Sequence, residues 1–152
     1  MTARIGYAAG AFDLFHVGHL NLLRRAKAEC DYLIAGVFAD ELLVATRGRA
    51  PVIPLPERLE IVRHVRYVDE AIAESLPRKI DAWHAAPFDI LFKGGDRRGT
   101  PKGLALEQEF SAVGVKVVYF PYTVHTSSTA LSRTLELLNS ESGELVSVQS
   151  LH

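Results

Sequence analysis

A single cysteine in 152 residues excludes an internal disulfide, and Cys30, on an apolar helical face, reads as a core residue. The net charge is also small, −1 from 17 basic and 18 acidic residues, so no global basic field points to nucleic acid. Long hydrophobic runs are missing too. The longest, Tyr32 to Ala39, is about eight residues, against roughly 20 for a membrane-spanning helix, and no membrane insertion is expected. The opening residues Met1-Thr2-Ala3-Arg4-Ile5 show no apolar leader, which makes a cytoplasmic location the default expectation. No internal repeat and no low-complexity tract interrupts the chain. What is present, 48% hydrophobic and 23% charged residues, is the composition of one globular domain with its own core.

Strand-like and helix-like segments alternate along that domain. Strands are expected at Arg4–Ala8, Tyr32–Phe38, Tyr67–Ile72, Asp89–Phe92 and Val115–Phe120. All but the third are apolar enough to be buried on both faces of a parallel sheet. Helices are expected at Gly18–Glu29, Pro56–Val65, Arg78–Ala85, Lys102–Val113 and Ser128–Leu138, with Gly114 as a helix stop. Strict β/α alternation predicts an α/β fold: a single-domain, doubly wound, Rossmann-like parallel sheet of five strands with flanking helices. From Asn139 on the pattern weakens, so the reading is a domain at residues 1–138 and a C-terminal tail at 139–152.

The most informative stretch is Gly10-Ala11-Phe12-Asp13-Leu14-Phe15-His16-Val17-Gly18-His19. It leaves an apolar strand and enters a helix whose apolar positions are Leu20, Leu23, Ala26 and Cys30. A helix start offers unpaired N–H groups and a positive dipole end to an anion. Gly18 lets a phosphate approach the backbone, and two imidazoles flank it. In doubly wound folds ligands bind beyond the carboxyl ends of the strands. Gly10–His19 follows the first expected strand, Lys93-Gly94-Gly95-Asp96 the fourth, and Pro121–Thr129 the fifth, so one site at one sheet edge is expected. His16 and His19 with Asp13 also allow a zinc reading, though further Cys or His ligands are lacking nearby.

The stretch resembles the HxGH signature of the nucleotidylyltransferase superfamily in its G-x-F-D-x-x-H-x-G-H form. That form is typical of the cytidylyltransferase-like branch, and the pattern is closest to the glycerol-3-phosphate cytidylyltransferases. The resemblance runs from Ile5 to Leu138. Lys93-Gly94-Gly95-Asp96 resembles the family's K-G-G-D segment over the nucleotide, which implies base recognition by the backbone and a ribose or base contact for Asp96. Ser127-Ser128-Thr129 resembles the I-S-S-T motif at a helix start, implying contacts to the β- and γ-phosphates. Arg66-Tyr67-Val68-Asp69-Glu70 matches R-Y-V-D-E letter for letter. It implies that Arg66 reaches a substrate phosphate, with Asp69 and Glu70 structural. Arg47 and Arg49 stand where relatives carry lysines that close on the triphosphate, in a stretch that suits a cationic flap.

Two departures bear on the acceptor. Relatives carry Arg-Thr-Glu-Gly where this chain has Tyr122-Thr123-Val124-His125, and Ala11 replaces a frequent Thr. His125 or Arg97 could supply the missing cation; Asp13, Tyr122 and His125 are acceptor-side candidates. The resemblance implies CMP transfer from CTP to a phosphorylated small alcohol, with Mg²⁺ on the triphosphate and His16, His19 and Arg66 as catalytic groups. Ala9, Gly10, Ala11, Phe12, Gly18, Lys93, Gly94, Asp96 and Ser127 to Thr129 would hold the nucleotide. A homodimer is also implied. AMP transfer from ATP to a sugar phosphate and a non-catalytic nucleotide-binding module are the alternatives.

Overall fold

The computed structural model describes residues 3–95, 99–121 and 126–142, with the side chains of 141 and 142 left aside. The order of elements is β1 (Ile5–Gly10), α1 (Val17–Ala28), β2 (Tyr32–Phe38), α2 (Asp40–Arg47), α3 (Leu55–Arg63), β3 (Glu70–Glu74), α4 (Lys79–Ala85), β4 (Ile90–Gly94), α5 (Pro101–Ser111), β5 (Lys116–Phe120) and α6 (Ser128–Ser142). The five strands form one sheet in the order β3-β2-β1-β4-β5, every pairing parallel. The chain starts in the middle, winds to one edge, then crosses back beside β1. The switch point therefore lies between β1 and β4, where this topology leaves a crevice at the carboxyl ends of the strands.

Side-chain alternation along the strands splits the core into two layers. Ala8, Leu33, Ala35, Val37, Ile90 and Phe92 pack with Leu23 and Ala26 of α1 and Val62 of α3. Tyr7, Ile34 and Leu91 face the other way, onto Ile80 of α4, Phe88 and Phe110 of α5. Each large apolar side chain buried this way contributes about 1.5–3 kcal/mol. Tyr7 crosses above Gly36 of β2, where any Cβ would collide with its hydroxyl. The hydroxyl donates to Glu74 at 2.5 Å, and Lys79 holds the other carboxylate oxygen at 2.9 Å. That bond network ties β1, β3 and α4 together under the sheet.

Three elements depart from the sequence reading. The third strand is Glu70–Glu74, not Tyr67–Ile72, because Tyr67 and Val68 pack against the core from the connection before it. Asp69 fixes that connection by accepting from the Leu33 amide and Lys27. A helix absent from the sequence reading, α2, follows β2 directly and ends on Gly48 in the left-handed region, φ 76°, the usual stop. The last helix continues through Ser142, past the boundary expected at 138. Among the described residues no helix is long and apolar enough to cross a membrane.

Candidate active site

The turn from β1 into α1 is tightly wound. Phe12 and Leu14 both take positive φ, 52° and 50°, a region that costs a non-glycine residue about 1 kcal/mol or more. Compensation comes from packing and hydrogen bonds: Phe12 is buried against Leu23 and Val62 and touches the His19 ring at 5.6 Å between centroids. Asp13 turns the other way and accepts the amides of Val52 and Ile53 at 2.8 and 2.9 Å. Both of its oxygens thus anchor the segment before α3.

The H-x-G-H spacing is that of a helix capping box built from imidazoles. His16 is the N-cap, and its Nδ1 accepts the Gly18 amide at 3.0 Å; His19, three residues on, accepts the His16 amide on Nδ1 at 3.1 Å. A ring nitrogen that accepts an N–H carries no proton, so the ring proton of each histidine sits on Nε2. Both Nε2 atoms point to one place. Ser128 Oγ stands 3.1 Å from His16 Nε2 and 3.5 Å from His19 Nε2. The hydroxyl spends its proton on the Asp13 carbonyl at 2.6 Å, leaving its lone pairs to the two Nε2–H donors. The rings lie 4.0 Å apart between centroids. Two preorganised donors aimed at a single oxygen position, beside the N-termini of α1 and α6, form a site for an anionic oxygen.

A cleft of about 880 Å³ opens around this pair. Its floor is the end of β1, Ala9 and Gly10, with Ala11 beyond it. One end is built by Phe38, Leu43, Arg47, Arg49, Ala50 and Pro51, the other by Lys93, Gly94, Gly95, Phe120 and Pro121. Ser127, Ser128, Thr129 and Ser132 of α6 and its approach close one side, and Gly18, Asn21, Leu22 and Arg25 of α1 the facing one. Arg47 stands over the Phe38 ring, 5.9 Å from its centroid. Arg49 reaches across to Glu136 of α6 at 2.5 Å.

The structure therefore gathers Ala9 to Asp13, His16, Gly18, His19, Arg47, Arg49, Lys93, Gly94 and Ser127 to Thr129 around one cleft. It does not bring Arg66 there. Arg66 lies between α3 and β3, at the amino end of a parallel strand, while the cleft lies at the carboxyl ends. Asp13 lines the cleft, with each of its carboxylate oxygens accepting one backbone amide. Asp96, Arg97, Tyr122 and His125 lie outside the described residues. Among the described residues no group of three or more His, Cys, Asp or Glu is placed to hold a metal ion, which leaves the zinc reading without ligands there.

Asn21, Leu22, Arg25 and Ser132 were not singled out from sequence. Counting i+3, i+4 and i+7 from Gly18 gives 21, 22 and 25, so helical periodicity could have found that wall. Arg58 was also missed. It is 1% exposed and donates to the carbonyls of Ala11, Phe38 and Ile53 and to Asp40. This buried guanidinium clamps the turn after β1 to the end of β2 and the start of α2.

A family model described as cytidylyltransferase-like matches residues 7–140. An ethanolamine-phosphate cytidylyltransferase of Arabidopsis thaliana is 46% identical over 69 residues, 45% of this chain but 16% of that protein. An FAD synthase of Pyrococcus abyssi is 30% identical over 130 residues, covering 84% of this chain and 86% of its own length. The fold is similar to that of a lipopolysaccharide core biosynthesis protein from Thermoplasma volcanium, with a TM-score of 0.68 and 22% identity over 82% of this chain and 100% of that one. It is also similar to a pantoate-beta-alanine ligase from Francisella tularensis, with a TM-score of 0.65 and 16% identity over 91% of this chain and 69% of that one.

Proposed function

Because the chain belongs to the cytidylyltransferase-like family, we propose that it transfers CMP from CTP to a small phosphorylated alcohol and releases pyrophosphate. The observation that carries this reading is the convergence of two Nε2–H donors on one oxygen position at the sheet rim. The acceptor phosphate is already an anionic nucleophile, so no general base is required. Its oxygen bonds to the α-phosphorus as the bond from that phosphorus to the bridging α–β oxygen breaks, in line, and pyrophosphate takes the electron pair. His16 and His19 stabilise the charge growing on the α-phosphoryl oxygens. A phosphate oxygen takes the place that Ser128 Oγ holds between them, and Ser128 turns to the leaving pyrophosphate with Ser127 and Thr129. Arg47 and Arg49 neutralise phosphate charge, and Arg66, remote from the cleft, takes no part.

Mg²⁺ supplies charge neutralisation on the triphosphate. Among the described residues lining the cleft Asp13 is the one carboxylate, and each of its oxygens accepts a backbone amide. Carried in with the nucleotide, the ion would supply that neutralisation without a dedicated protein ligand among the described residues.

A second reading, AMP transfer from ATP, is favoured by the relatives matched along most of their length, which are FAD synthases. A matrix of four nucleoside triphosphates against glycerol, sugar, choline and ethanolamine phosphates, read by pyrophosphate release, separates the two. CTP-dependent release supports the first reading and ATP-dependent release the second. Tight nucleotide binding without release with any acceptor would leave a binding module.

A further inference from the structure

The last helix is seated by polar contacts. A helix is ordinarily held by burying an apolar stripe, but α6 turns a polar one to the cleft. Ser128, Ser132 and Glu136 follow one another at i, i+4 and i+8 and so share a face. Ser128 and Ser132 are half-buried there and line the cleft. Leu131, Leu135, Leu137 and Leu138 are all exposed, between 36% and 59%.

Contacts cross to the rest of the fold from both ends of that stripe, about 12 Å apart along the helix at 1.5 Å per residue. At the first end Ser128 Oγ stands between His16 Nε2 and His19 Nε2 and donates to the Asp13 carbonyl. At the second, Glu136 accepts Arg49. Arg49 rides on a short strap: Gly48 stops α2 in the left-handed region, and Asp13 fixes the amides of Val52 and Ile53. The ion pair is open to water on both sides, with Arg49 54% and Glu136 57% exposed. Such a pair is weak enough for a phosphate to displace the carboxylate. Both ends of the stripe thus engage groups that the transfer reading gives to phosphate.

Resting on that reading, we infer that Glu136 is a positioning residue that keeps Arg49 stretched across the cleft until a triphosphate takes it. Arrival of the nucleotide exchanges both partners of α6. A phosphate oxygen replaces Ser128 between the histidines, and another replaces Glu136 on Arg49. The helix is then held by its first turn on the leaving group, with its Glu136 end released. When pyrophosphate departs, the ion pair re-forms and opposes its return.

The test is a double-mutant cycle read by calorimetric binding of CTP, ATP and inorganic triphosphate with Mg²⁺, beside initial rates of pyrophosphate release. Glu136→Gln should tighten triphosphate binding about two- to fivefold, the range that an exposed ion pair sets. Nucleotide KM and the inhibition constant of pyrophosphate should fall by the same factor, without a rise in kcat. In the Arg49→Gln background the same substitution should change Kd by less than about 1.5-fold. Exposed Glu41→Gln, which removes an acidic charge from neighbouring α2, should be equally silent. Tightening of equal size in both backgrounds, or with Glu41→Gln, would show a general charge effect and overturn the inference, as would no tightening at all. Hydrogen exchange in the parent protein gives an independent readout. A bound triphosphate should slow it at Ser127 to Thr129 and speed it around Glu136; exchange around Glu136 that is unchanged or slowed overturns the inference. None of these failures touches the transfer reading, which falls if no nucleotide and acceptor release pyrophosphate. The cycle with inorganic triphosphate then still decides the role of Glu136, and a chain that binds no triphosphate overturns both.

Discussion

His16 both caps α1 and presents a donor to the cleft, and two substitutions separate these roles. His16→Ala removes the acceptor for the Gly18 amide and the Nε2–H together. His16→Asn restores a capping acceptor, since Asn is among the best N-caps, but cannot place an N–H at the Nε2 position. Both should lower turnover by at least about a hundredfold, the usual cost of one transition-state donor, with nucleotide Kd little changed. Only the alanine variant should also lose about 1 kcal/mol in a thermal melt. Near-normal turnover in His16→Asn would remove the donor role and leave a cap. Tyr7 shows the same coupling of position and protonation away from the site. Burial, then the charge of Glu74 and the hydrogen bond to it, hold its phenol protonated well above the ordinary tyrosine range. Above about pH 10 the unfolded chain releases that proton while the folded chain keeps it, so stability falls as pH rises. Tyr7→Phe should cost about 1–2 kcal/mol at neutral pH by removing a donor from buried Glu74. It should also flatten the alkaline limb of a denaturation series, and an unchanged limb would show that the phenol is not the titrating group.

At the scale of elements, what could be read from sequence follows burial. β1, β2, β4 and β5 were visible as apolar runs, β5 even as an edge strand; β3, Glu70–Glu74, is the other edge and has a glutamate at each end, too polar to stand out from Tyr67-Val68 before it. The helix α2 went unseen although its signals were present: Asp40 and Glu41 in the first turn, Leu42 and Leu43 facing inward, Gly48 at the stop. Arg58 was illegible for a different reason. Nothing in a one-dimensional pattern distinguishes an arginine on a helix surface from one whose donors meet three carbonyls and a carboxylate inside the fold. The clamp also predicts a cost. Arg58→Met leaves the Ala11, Phe38 and Ile53 carbonyls short of a donor and Asp40 without its ion pair, which should destabilise by about 3 kcal/mol or more. Limited proteolysis should then cut first between α2 and α3, and a variant nicked no faster there than the parent would show that Asp13 alone holds the segment.

For the whole molecule, the sheet is a rigid plate with a packed layer on each face and chemistry at one rim. Strand order delivers three connections to that rim: the turn after β1, the residues after β4, and the approach to α6. Sequence alone placed these together because a parallel alternating fold puts all strand-to-helix turns at one edge. It misplaced Arg66 because a matching motif carries no record of which edge it occupies, and a helix-to-strand connection falls on the far one. Among the described residues the cleft is rich in cation: Arg25, Arg47, Arg49 and Lys93 line it against the single carboxylate of Asp13. On the transfer reading the folded chain, which concentrates these groups, binds the triphosphate and the unfolded chain does not, so the donor nucleotide should stabilise the protein by linkage. At a hundred times Kd the gain is about 2.7 kcal/mol, or roughly 5–10 °C in Tm for a domain of this size. The shift should persist in His16→Asn, because that residue acts on the transition state, and should shrink with added salt as exposed charges are screened. The corresponding nucleoside, lacking phosphates, should give little of it. If nucleoside and triphosphate raised Tm equally, the base pocket and not the cationic rim would hold the ligand, and the assignment of the histidine–Ser128 centre to phosphate would fall with it.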